Sequence, residues 1–395
     1  MKIAIVGHYA SWALTGHAGY QADSKRHPTT WVMNLVRGLK ELGGHEVHVV
    51  TQTDEVDRDM EVRQEGFTLH FLRCPRRLRA ATLFCFDRLR IHRALRGIAP
   101  DVVHAFGTED TYGLAGVTSG FPCLLHMQCL FFKMAAQVPV SPLSRMRLMM
   151  ELERYSLRSA RHIVAMSAHG ADELGPVAPH AKVYAVPNAV EPVFFETQGQ
   201  AETDRLLFAA IFAPIKGLEY LVAALDLVRR KRPAVKLAIV GVPGRGAESY
   251  LASVQEQIAA RGLHAHVEWL GFQRPEGLAR EMARASVVVV PSLHEMFCSV
   301  AAEGMAVGRP VVASRAGALP ELVDDGKTGL LAPPADPNAL AQTIERLLAD
   351  DTLRGQFGGA AREKALRLWH SKEVARQTVA IYETVLAEQR RGFSR

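Results

Sequence analysis

The sequence predicts an α/β protein built from two doubly wound halves that meet near residue 195. Three observations carry this. Short apolar runs rich in Val, Ile and Leu alternate with segments of helical apolar spacing from end to end. That alternation is the mark of βαβ units, hence of parallel sheets covered on both faces. The series pauses once, in the polar, proline-punctuated stretch from Pro187 to Asp204, and then restarts. A length of 395 residues also exceeds what one ordinary core uses.

KIAIVG (Lys2–Gly7) reads as a buried strand. TTWVMNLVRGLKELG follows, with Trp31, Val32, Leu35, Val36, Leu39 and Leu42 on one helical face. Thr29 or Thr30 is placed to cap that helix and Gly43 to end it. EVHVVT, FTLHFLR, DVVHAFG, PCLLHMQ, HIVAMS and KVYAVPN supply the remaining strands of the first half. After the pause come RLLFAAIF, the helix KGLEYLVAALDLVRRKRP, and the strands VKLAIVG, HVEWLG, SVVVVPS and PVVAS. From Asn338 onward the pattern is helical. Ligands of such sheets bind at the carboxyl ends of the strands, so the expected site is the cleft the two halves face across.

Hydrophobic residues at 48% and charged residues at 22% describe a soluble globular protein. No apolar run is long enough to span a bilayer, and MKIAIVGHYA lacks the pattern of a signal peptide. Cys74, Cys85, Cys123, Cys129 and Cys298 are odd in number and lack metal spacing, which fits a reduced, cytoplasmic setting. The net charge of +6 favours an anionic partner. Part of that surplus is local: from Arg73 to Arg96 the chain carries eight arginines against the single acid Asp87. Two readings stand for this segment, a solvated helix face, or a patch resting on anionic lipid headgroups at the inner membrane face. No nucleic-acid module is present in the sequence.

The chemistry concentrates in HEMFCSVAAEGMAVGRP, His294 to Pro310, where two acids sit among residues that want burial. A buried carboxylate needs a partner. Ser292-Leu-His-Glu295 matches a capping box, in which Glu295 folds back on the N-cap amide of Ser292. Glu303 lies one turn after Ser299 and has no such local explanation; a ribose offers two hydroxyls that one carboxylate accepts. The amides of Cys298, Ser299 and Val300 fall at a helix start, where a phosphate is favoured. Lys216 stands at the start of a helix, where a cation is disfavoured, and so is paired either with Glu219 or with a bound anion.

These residues, with Pro291-Ser292, Gly308-x-Pro310-Val311-Val312, Gly317-x-x-Pro320-Glu321 and Gly326-x-x-Gly329, resemble the signature of family-4 retaining glycosyltransferases of the GT-B fold. The resemblance spans almost the whole chain and is most specific from Pro291 to Leu331. It implies two Rossmann-like domains: residues 1–195 for the acceptor and 196–370 for the nucleotide sugar. A helix at 371–395 is expected to cross back to the first. It implies that Glu303 grips the donor ribose and Glu295 the transferred sugar, with Cys298, Ser299, Val300 and Lys216 on the diphosphate. Phe297, Gly241 and Phe272 join the donor site, Phe272 where the nucleobase is met. A nucleoside-diphosphate sugar is then the co-substrate, with no metal and no other cofactor, and the acceptor is a glycan or a lipid-linked molecule.

Departures from that family are specific. Ile211 stands where the phosphate clamp usually has an arginine, and Arg26 or His27 is the candidate replacement. Gln128 replaces the strand-end histidine and becomes the candidate contact for the transferred sugar. Asp57-Arg58-Asp59 imitates a metal-binding D-x-D but falls in a polar loop, and His104 and His126 read as core. Two other functions fit the same layout: a nucleotide-sugar 2-epimerase, and a non-catalytic nucleotide-sugar binder.

Overall fold

A computed structural model describes residues 1–9, 30–74, 82, 84–108, 111–132, 141, 144–244 and 246–393. The chain divides into two compact units, Met1–Ala189 with Ser371–Arg395, and Val190–His370.

The first unit holds an eight-stranded sheet of β1 (Lys2–Val6), β2 (Glu46–Thr53), β3 (Met60–Gln64), β4 (Phe67–Arg73), β5 (Val102–Phe106), β6 (Cys123–His126), β7 (His162–Ala165) and β8 (Lys182–Ala185). Their order is β3-β4-β2-β1-β5-β6-β7-β8. The pairings are parallel except that of β3 with β4. The inner strands β1, β5, β6 and β7 are largely apolar because both faces of the sheet are covered there. Ile3 and Ile5 pack with Val32, Leu35 and Leu39, whereas Ala4 and Val6 pack with Ile91 and Leu95.

The last helix, Ser371–Phe393, closes the first of these layers: Val374, Ala375, Ile381, Tyr382 and Val385 join the core of Ile3 and Ile5. It lies so close to helix Trp31–Leu42 that a Cβ on Gly38 would stand 2.1 Å from the Ser371 carbonyl oxygen. The Tyr382 hydroxyl is 2.7 Å from His104 Nδ1, and His104 Nε2 is 3.2 Å from His126 Nδ1. Both histidines are core, and burial holds them below the usual imidazole range, His126 at about 3. The polar loop at Asp57 is explained locally: Asp59 Oδ1 accepts from the Arg73 amide (2.8 Å) and from Arg90.

The second unit holds β9 (Arg205–Phe212), β10 (Lys236–Pro243), β11 (Val267–Gly271), β12 (Val287–Val290), β13 (Val311–Ser314) and β14 (Gly329–Ala332). All pairings are parallel, in the order β11-β10-β9-β12-β13-β14. The winding reverses between β9 and β12. Their pairing ends at Val288↔Leu207, so the carboxyl ends of the two strands part. That is the place where doubly wound sheets take a ligand. Among the described residues no helix is long and apolar enough to cross a membrane.

Candidate functional site

The loops that leave β9 and β12 are fastened to each other. After β9 the chain makes a tight turn, Pro214–Lys216, ended by Gly217 at φ +68°. A Cβ on Gly217 would lie 2.2 Å from the Pro291 carbonyl oxygen, a contact only glycine permits. The Leu293 amide donates to the Ile215 carbonyl at 2.8 Å. A third loop pins the far side: the Ala318 amide donates to the Glu295 carbonyl at 2.8 Å. Gly317, at φ +55°, passes so close that a Cβ there would be 2.2 Å from the same oxygen.

These backbone contacts bring Lys216 to Glu295. Lys216 Nζ donates to Glu295 Oε1 at 2.7 Å, and Ser292 Oγ donates to the same oxygen at 2.7 Å. Among the described residues nothing donates to Oε2. Burial works against the Lys216 ammonium, but Glu295 beside it outweighs burial and the pKa of Lys216 rises above its ordinary value. The alternative partner, Glu219, accepts the Tyr250 hydroxyl instead. The capping box does not form either. Residues 291–298 are loop, helix Ser299–Ala306 begins beyond them, and Ser292 bonds the Glu295 side chain rather than an amide.

Cys298 caps that helix at φ +81°, in the left-handed region that L side chains rarely adopt. Its side chain accepts no capping bond, and burial pushes the thiol pKa up. The Ser299 and Val300 amides therefore carry the open, positive end of the helix. One turn on, the half-buried Glu303 meets no hydrogen-bond donor or cation among the described residues. Burial, with the acid Glu191 adding to it, raises its pKa to about 8.

The other expected contacts divide. Phe272 follows Gly271 at the end of β11 and is 39% exposed; Ile211 and Val242 are exposed beside each other on β9 and β10. The Phe297 ring is buried, edge-on against Trp369 with 6.1 Å between centroids. Gly241 lies within β10 rather than after it. Its missing side chain is accounted for by strand packing, since a Cβ would sit 1.8 Å from the Ala210 carbonyl oxygen. In the first unit, Gln128 follows β6 and is held by Asn188, whose Nδ2 donates to Gln128 Oε1 at 2.9 Å. Arg26 and His27 lie outside the described residues, as do 75–81, 83 and most of the apolar stretch from Cys129 to Leu143. Sequence reasoning missed Ser292 as a side-chain partner and Gly317 as a clamp; the spacing signal from Ser292 to Glu295 was there but pointed to a helix.

Comparison with known proteins bears on the family and the fold. The family "Glycosyl transferases group 1" matches residues 191–364 and "Glycosyl transferase 4-like domain" matches residues 28–189. An MMP α-(1→4)-mannosyltransferase of Mycolicibacterium hassiacum is 31% identical over 242 residues, 60% of this chain and 57% of that one. The chain spans about half the length of the curated relatives it matches. A sucrose-phosphate synthase structure from Thermosynechococcus elongatus superimposes with a TM-score of 0.78 at 23% identity, covering 98% of this chain and 100% of that one. Anabaena HepE, solved with UDP-glucose, gives 0.70 at 16% identity over 97% of this chain and 100% of that one.

Proposed function

The chain belongs to the family-4 glycosyltransferases of the GT-B fold, and from that premise we propose that it moves a sugar from a nucleoside-diphosphate sugar to a hydroxyl acceptor with retention of configuration and without a metal. The observation that carries this is the pair of acids on one loop and helix. Glu295 is held by a lysine and a serine, while Glu303 is half-buried and, among the described residues, meets no donor. Such a carboxyl is shaped for a ligand that brings hydroxyls.

In this reading the diphosphate lies on the Ser299 and Val300 amides and takes the free N–H groups of Lys216. Glu303 receives the ribose hydroxyls, Glu295 Oε2 a hydroxyl of the transferred sugar, and Phe272 stands beside the base. The bond between the anomeric carbon and the phosphate oxygen breaks as the acceptor oxygen bonds the same face of that carbon. The acceptor proton passes to the departing phosphate oxygen. The helix end and the ammonium stabilise the charge that develops there, the service a metal gives elsewhere. The acceptor falls to the first unit, whose Gln128 is our candidate for a hydroxyl contact.

The test is direct. UDP, GDP and ADP are screened by thermal shift, and consumption of the matching sugar nucleotides is followed by NMR. We expect one diphosphate to stabilise the protein and the anomeric signal to be retained in the product. Stabilisation by none of the three, or inversion, refutes the reading.

A lipid-linked acceptor draws support from helix Cys85–Ile98. Its solvent stripe carries Phe86, Leu89, Arg93 and Arg96, whereas its one acid, Asp87, is buried. Exposed aromatic and aliphatic groups beside arginines suit an anionic lipid surface. Vesicles containing phosphatidylglycerol should retain the protein at low salt and lose the double variant F86S/L89S; equal retention of both removes this surface from the proposal.

A further inference from the structure

Glu295 presents its two oxygens unequally. Oε1 accepts from both Ser292 Oγ and Lys216 Nζ, each at 2.7 Å, and among the described residues Oε2 accepts from nothing. The main chain beneath is immobilised by the Ala318 amide and the close pass of Gly317. Glu295 as a residue is 8% exposed and Ser292 only 2%. The remaining freedom of the carboxylate is rotation about its own axis, and the serine hydroxyl removes it. An ammonium has three N–H donors, so Lys216 spends one on Oε1 and keeps the others for an anion.

Resting on the donor site proposed above, we infer that Ser292 is a positioning residue: it fixes which oxygen of Glu295 is turned to the sugar, and so sets donor-sugar recognition without touching the donor. A lysine alone cannot do this. Its long, flexible stem follows the carboxylate through a rotation and is drawn toward a diphosphate when one binds. Ser292, short and buried, does not move with either.

The inference separates two affinities that a merely structural role would move together. In S292A the charge and donors of Lys216 are untouched, so binding of the nucleoside diphosphate alone stays within about two-fold of wild type. Loss of a hydrogen bond to a charged group lowers affinity for the complete sugar nucleotide about ten-fold or more. The preference between sugars differing in one hydroxyl orientation, such as UDP-glucose and UDP-galactose, shrinks with it. S292C keeps nearly the same volume with a weaker donor and should fall between the two.

Calorimetry with UDP, GDP, ADP, UDP-glucose, UDP-galactose, GDP-mannose and ADP-glucose reads all of this and needs no acceptor. Equal loss for diphosphate and sugar nucleotide, or no loss for either in S292A, overturns the role of Ser292 while the donor site stands. If wild type binds none of the seven, the donor-site reading fails and takes this inference with it.

Discussion

Replacing Glu303 with glutamine should make the protein more stable, by an amount that grows with pH. The carboxyl has a pKa of about 8 in the folded protein against an ordinary value of 4.5. The native state therefore holds this proton more tightly than the unfolded chain does. The contribution is favourable below about pH 4.5 and is lost as pH rises through 8. At about 1.4 kcal/mol per pH unit, the interval corresponds to a ceiling of roughly 5 kcal/mol. Residual solvent contact at this half-buried side chain reduces that to about 2 kcal/mol. Glutamine has the same shape and no charge, so E303Q should match wild type near pH 5 and exceed it at pH 8.5. For a unit of this size the gain is about 4–8 °C in melting temperature. Thermal unfolding of both proteins without ligand, followed by circular dichroism at pH 5, 7 and 8.5, measures it. A gap that is constant with pH, or one that favours wild type at pH 8.5, refutes the claim that an unpartnered acid is held there. The same variant should bind the nucleoside diphosphate more weakly.

Binding to that acid should also release a proton. Ribose hydroxyls favour the ionised form, so below pH 8 the calorimetric enthalpy of nucleoside diphosphate binding should change with the ionisation enthalpy of the buffer; buffer independence counts against the contact. Gly317→Ala should displace the Glu295 backbone, because its Cβ would meet the Glu295 carbonyl oxygen at 2.2 Å. We expect donor-sugar binding to fall at least ten-fold, with a stability loss of about 2 kcal/mol by urea denaturation. Unchanged binding would show that this loop does not place Glu295. Gly38→Ala should push the last helix off the first unit, a loss of about 3 kcal/mol. Limited proteolysis should then cut near Ser371 first, and a wild-type cleavage pattern would disprove the contact.

Much of the architecture could be read because buried parallel strands are nearly uniform apolar runs. VVVV at Val287–Val290 and KIAIV at Lys2–Val6 have few other uses. The strand β3 escaped notice: MEVRQ is a half-exposed, largely polar edge whose pairing is set by the hairpin with β4 rather than by its own composition. β14 escaped because four residues inside a glycine-flanked loop carry too little pattern. At the site, the types and spacing of Glu295, Ser299, Glu303 and Lys216 were legible, since a polar residue in an apolar segment is conspicuous. The partners were not. Lys216 and Glu295 are 79 positions apart, and their contact depends on backbone approaches at Gly217 and Gly317 that no local pattern encodes. The packing of Phe297 was hidden in the same way, because its neighbour in space, Trp369, arrives from the end of a distant helix.

The tail that closes the first unit bears on how the chain is born. Its layer over Ile3 and Ile5 needs Ile381, Tyr382 and Val385, which leave the ribosome only after the whole of the second unit. The second unit, from Val190 to His370, is contiguous and owes nothing to later residues for its sheet. Domains usually mature in the order of synthesis. Here the first unit must wait, with one flank of its sheet bare, until the residues beyond His370 have been made, and the unit made second is the first to be complete.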